Sequence, residues 1–150
     1  MSEAFRAVLF GYAALGLALG WVAIRVIRLD ATSPDRLVLE LRLAQFSALL
    51  LVLTAGVYVG LGVAHEDTPG TGLDVALAIG FFVVAGVVTT WEPSMALTVL
   101  ALAWVGHCFV DLAHMVNLLP AAIAPVWYPK SCALYDVGIA AICYVPVLRR

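Results

Sequence analysis

From Leu43 to Ala64 the chain carries no charged residue, and the sequence repeats such apolar runs along its length. An α-helix rises about 1.5 Å per residue, so about 20 mostly apolar residues cross a hydrocarbon core about 30 Å thick. Backbone amides find no water in lipid, so a segment of this kind has to satisfy its hydrogen bonds within itself, as a helix. Composition agrees: 64% of the 150 residues are hydrophobic and 12% are charged, where a soluble domain has about 25% charged residues. The expectation is an all-α integral membrane protein, a single domain over residues 1–150, built as a bundle of five transmembrane helices.

The first span is expected from Ala7 to Ile24, closed by Arg25 and Arg28. Its apolar run is too long for the core of a signal peptide, so it reads as a retained membrane helix. Ser33 and Pro34 offer a cap and first turn for a second helix, with Asp35 at the favourable dipole end. That helix enters lipid near Leu43 and leaves near Val63. Thr71 and Asp74 read as a capping-box start for the third span, Leu73 to Thr90, which is marginal in length and open to a re-entrant reading. "TWEPS" turns into a fourth span, Ser94 to Leu118, with Pro93 at its start and Glu92 favouring its N-terminal end. The segment "LPAAIAPVWYPK" holds three prolines and reads as a loop, and the fifth span runs from Ser131 to Leu148.

Arg25, Arg28, Arg36, Arg42, Arg149 and Arg150, six of the eight basic residues, fall on one side of this topology. The positive-inside rule then puts the N-terminus outside and the C-terminus in the cytoplasm of a multi-pass cell-membrane protein. Trp127 and Tyr128 fit an outer aromatic belt, Trp21 and Trp91 an inner one. Arg36 and Glu40 are spaced to pair along the second helix, and Arg36, Glu40 and Arg42 are placed to meet lipid head groups. Gly16 and Gly20, and Gly56 and Gly60, are spaced for close helix packing. A net charge of -2 without a basic patch excludes a nucleic-acid partner. Cys108, Cys132 and Cys143 form no CxxC pair and no disulfide framework.

One stretch breaks the apolar pattern: "GHCFVDLAHMVNLLP", residues 106–120, sets His107, Asp111, His114 and Asn117 inside the fourth span. At about 100° per residue, Asp111 lies about 40° from His107 and His114 about 20° to the other side, so the three share one stripe. Asn117 falls about 80° off it on the His114 side. Ionisable groups at membrane depth face the bundle interior or a wet cavity, so the stripe is expected to look inward. Counting residues along antiparallel helices brings Asp136, Tyr58 and Tyr12 to similar heights, with Tyr135 beside Asp136.

Four readings of this convergence stay open. His107, Asp111 and His114 are donors suited to a transition metal such as Cu, Zn or Fe, for redox chemistry or metal handling, with Asp136 or Tyr135 completing or orienting the set. A b-type haem or a quinone between the helices is a second reading, lined by Phe109, Trp104 and Tyr135. A metal-free acid and base acting on a lipid-soluble substrate is a third. In the last, the polar groups fix packing in an accessory subunit of a larger membrane complex or in a homo-oligomer. The "HED" turn at residues 65–67 reads as solvated.

Overall fold

A computed structural model describes residues 3–120 and 123–150. Among the described residues there are five α-helices and no strand: α1 (Glu3–Ile27), α2 (Pro34–Ala64), α3 (Thr71–Val88), α4 (Pro93–Met115) and α5 (Trp127–Leu148). All five are long and apolar enough to cross a membrane. Helix α2 packs against each of the other four, α4 lies along α5, and α1 leans on α2 and α5.

The apolar residues fall into two sets. Leu19, Val26, Leu43, Leu51, Leu97, Leu100 and Trp104 are 0% exposed and form the core. Phe10, Leu17, Leu49, Leu102 and Leu134 are instead exposed. An apolar outside is what a lipid-facing bundle requires, because lipid solvates these side chains as well as the core does. Around Trp104 the buried polar groups pair with one another: the indole donates to Ser47 Oγ at 2.9 Å, Ser47 Oγ lies 3.1 Å from Cys143 Sγ, and Thr54 donates to Leu50 O at 2.8 Å.

Helix ends depart from the sequence reading in instructive ways. Ser33 occupies the N-cap of α2 but its side chain caps nothing; Pro34, which needs no partner for a missing N–H, makes the start. Helix α3 starts after Gly70 in a left-handed conformation, φ 97°, and no side chain caps it. Asp74, expected to cap, is instead turned into the bundle and 2% exposed. Glu92 does cap α4, accepting from Ser94 N at 3.1 Å and Met95 N at 3.2 Å. These bonds, led by the Ser94 hydroxyl, hold the Glu92 carboxyl down at about 2.

Helix α4 stops at Met115, short of the expected Leu118. Asn117 takes φ 61°, its N–H bonds to His114 O at 3.3 Å, and Leu118 N–H bonds to Ala113 O at 2.9 Å. This is a Schellman ending, with Asn at the left-handed position that few other residues tolerate. Helix α5 begins earlier than expected, because Pro129 falls in the first turn, where no backbone N–H is used. Tyr128 is buried, 4% exposed, and so lies inside the bundle instead of in a belt; Trp21 and Trp91 stay exposed.

Of the paired glycines, Gly16 and Gly20 serve packing within the chain, while Gly60 has open space around it. A Cβ at Gly16 would meet Tyr135 Cε2 at 3.0 Å and one at Gly20 Ile142 Cδ1 at 3.7 Å, so α1 approaches α5 closely there. At the opposite end from residues 65–70, Arg36 knots the helix termini together. Its guanidinium donates to Glu40 Oε1 at 3.0 Å and to the carbonyls of Leu29, Pro146 and Arg149 at 3.3, 3.0 and 3.1 Å. Glu40 also receives Arg150, which reaches Glu92 Oε1 at 3.1 Å. Arg42 points outward and is exposed.

Candidate functional site

The stripe on α4 faces inward: His107, Asp111 and His114 are 1%, 0% and 2% exposed. Its members do not gather on one another, however. Residues seven apart on a helix are separated by about 10.5 Å along the axis, so His107 and His114 belong to two levels of the bundle, each with its own carboxylate from another helix.

At the deeper level His107 Nδ1 lies 2.8 Å from Asp136 Oδ2 of α5 and 3.7 Å from Asp111 Oδ2, one turn along α4. One potential ligand atom from each of the three falls within 4.8 Å of the others. Tyr58 of α2 donates its hydroxyl to Asp111 Oδ1 at 2.6 Å. That bond orients the carboxylate and leaves Asp111 Oδ2 turned to His107. Asp111 Oδ2 and Asp136 Oδ1 are buried and have no hydrogen-bond partner. Phe81 and Trp104 close the walls, with ring centroids 5.1 and 6.2 Å from the His107 ring.

Nearer the 65–70 end, His114 Nε2 faces Asp74 Oδ1 at 3.2 Å. Its Nδ1 lies 3.2 Å from Pro120 O; a carbonyl only accepts, so Nδ1 carries the hydrogen. Neither Nε2 nor the Asp74 carboxylate makes an aligned hydrogen bond, so the two groups face one another at contact distance only. Tyr58 stacks flat on His114, centroids 4.7 Å apart and planes 6° apart, while its hydroxyl holds Asp111. One tyrosine thus touches both levels. A cavity of about 290 Å³ opens beside His114 and is bordered by Asn117, Val126 and Lys130.

The residues named from sequence therefore divide. His107, Asp111 and Asp136 come together, with Tyr58 bonded to them. His114 is drawn to Asp74 instead of to His107. Asn117 is exposed and acts through its backbone at the end of α4, bordering the cavity by His114. Tyr12 and Tyr135 meet edge to face at 5.4 Å on the α1–α5 side, and no hydrogen bond is seen from either to Asp111 or Asp136. His65 is exposed, with Nδ1 2.9 Å from Leu61 O. Phe109 is 65% exposed and lines no site.

Asp74 is the residue that sequence reasoning missed. Its place one turn into α3 looks like a capping position, which accounts for the reading. Chain geometry holds a usable signal: α3 begins at the end of the bundle where α4 finishes, so Asp74 and His114 stand at the same height. Tyr128, set against Tyr58 at 5.8 Å, was assigned to the membrane interface and is a second wall residue of this region.

No protein-family description, curated protein or solved structure matches this chain.

Proposed function

We propose that this protein is a multi-pass cell-membrane protein whose His107, Asp111 and Asp136 bind a divalent transition metal of the Cu, Zn or Fe class, serving redox chemistry or metal handling. The observation that carries this reading is the convergence of one imidazole nitrogen and two carboxylate oxygens within 4.8 Å, all fully buried. Donors held at 2.0–2.2 Å around a tetrahedral ion stand about 3.4 Å apart; the separations of 2.8 and 3.7 Å straddle that value. Charge supports it as well. An imidazolium between two carboxylates leaves one net negative charge in an apolar bundle, which is expensive at membrane depth. A neutral imidazole, two carboxylates and a divalent ion sum to zero. The two unpartnered carboxylate oxygens are further lone pairs without a use. Tyr58 would hold Asp111 from behind, the role that hydrogen-bonded neighbours play for ligating carboxylates.

By the positive-inside rule the arginine-bearing end lies in the cytoplasm, which puts both His/Asp levels in the outer half of the bilayer. Elemental analysis of detergent-purified protein, with an absorbance spectrum on the same sample, tests the metal reading. The expected result is about one metal per chain, lost in His107→Ala and Asp136→Asn and retained in His114→Ala and His65→Ala. Colourless wild type that holds no metal and takes up no added Cu, Zn or Fe would sink the proposal, and a Soret band would replace it with haem.

A second reading has its own support. Asp74 and His114 beside the Lys130 cavity, and Asp111, His107 and Asp136 one level deeper, are proton-carrying side chains that Tyr58 touches on both sides, stacking on His114 and bonding to Asp111. Such a grouping suits a metal-free acid and base, or an accessory subunit of a membrane complex. Metal-free protein in liposomes that takes up protons after a pH jump, and loses this in Tyr58→Phe, would favour it.

A further inference from the structure

Outside the His/Asp levels, α1 and α5 enclose a cleft of about 130 Å³ whose wall is aromatic and uncharged. Leu9, Tyr12 and Ala13 form one side; Trp127, Tyr128 and Tyr135 form the other. The hydroxyls of Tyr12, Tyr128 and Tyr135 are buried without an aligned hydrogen bond; Tyr12 lies beside Thr54 and Tyr128, and Tyr128, only 4% exposed, beside Cys132. A phenol hydroxyl with a poorly aligned acceptor in an apolar medium is costly, and three around one cleft favour a ligand that brings acceptors. Leu9, 44% exposed, and Ala13 border the mouth, so the cleft opens on the lipid-facing surface.

We propose that this cleft is a binding site for a quinone-class ligand: a flat, lipid-soluble ring with carbonyl oxygens that accept from the tyrosines. A quinone brings acceptors and no donors, which complements three hydroxyls. An uncharged wall excludes lipid head groups and other ionic ligands. A cavity of about 150 Å³ holds one benzene ring in other proteins, so the volume fits a single ring with its tail left in lipid. The aromatic wall supplies faces for stacking. The cleft also lies one ring from the His/Asp levels: Tyr128 meets Tyr58 at 5.8 Å, and Tyr135 meets Trp104 at 6.3 Å, which meets His107 at 6.2 Å. The assignment stands on the cleft alone and does not depend on a metal at His107.

The test uses the full chain in lipid nanodiscs and an azido derivative of a decyl-tailed benzoquinone, photolysed and mapped by peptide mass spectrometry. Labelling is expected on α1 and α5 around Tyr12 to Ala13 and Trp127 to Tyr135, and the parent quinone should compete it away. Tyr128→Phe and Tyr135→Phe, which delete a donor and keep the shape, should each weaken competition about tenfold. Tyr144→Phe should not. Ala13→Trp, which blocks the mouth and leaves every tyrosine in place, should abolish specific labelling even where a tyrosine variant fails to fold. A decylbenzene of matching size should compete at least tenfold less well. Labelling that is spread over all helices and not competed overturns the site. Equal competition by decylbenzene, or unchanged labelling in Ala13→Trp, overturns it too.

Discussion

Glu40 offers the sharpest test of how charge is held in this bundle. It is 1% exposed, and its carboxylate is the counter-charge of Arg36, itself 3% exposed, at 3.0 Å. A guanidinium does not shed its proton, so Glu40→Ala leaves Arg36 charged and buried. Removing one partner of such a pair costs about 3–5 kcal/mol. Three backbone carbonyls still accept from Arg36 in the variant, which places the expected loss at the lower end, about 3 kcal/mol. Arg150→Ala removes the other cation on Glu40, but that side chain is 37% exposed, and screening by water limits the loss to about 0–1 kcal/mol. The double variant Arg36→Leu/Glu40→Leu removes both charges and should recover most of the loss. Reversible unfolding in mixed micelles, followed by tryptophan fluorescence, measures all three. Equal losses for Glu40→Ala and Arg150→Ala, or a double variant no better than the single, would refute the reasoning. The contrast matters for function. The guanidinium of Arg36 keeps its proton, whereas each His/Asp level can change its charge by gaining or losing one, which is why chemistry is assigned there.

Tyr58→Phe removes the hydrogen bond to Asp111 without altering shape, and should weaken metal binding 10- to 100-fold by roughly the measure of such supporting contacts; isothermal titration with Zn would show it. Glu92→Ala loses the α4 cap, about 1 kcal/mol or less given its 53% exposure. Because the folded carboxyl is held near 2 against an ordinary value of 4.5, its contribution is complete above about 4.5 and vanishes as pH falls through 2. Thermal unfolding of wild type and variant should therefore differ at pH 6 and converge near pH 2. Gly16→Val should lose about 1–3 kcal/mol by driving α1 off Tyr135, while Gly60→Ala, with open space around it, should be neutral or stabilising by up to about 1 kcal/mol; the same micelle unfolding distinguishes them.

What the sequence determined by itself was the class of fold and the face of α4 that looks inward. Five apolar runs near bilayer length leave the backbone one way to satisfy its amides, and the 3.6-residue period puts His107, Asp111 and His114 on one stripe whatever surrounds them. Residue types at chain breaks marked Pro34, Pro93 and Glu92 correctly, because those effects are local. Partnership was beyond it. Whether His107 meets His114 or Asp136 depends on the height and rotation of α5, and Asp74 reads as a cap until α3 is packed against α4. Asn117 does border the cavity beside His114, but from beyond the helix, because its own left-handed backbone ends α4 before the helical wheel reaches it. In a lipid environment burial of apolar area has little power to choose between registers. Close packing at Gly16 and a handful of polar contacts decide it, and these exist only in the assembled bundle.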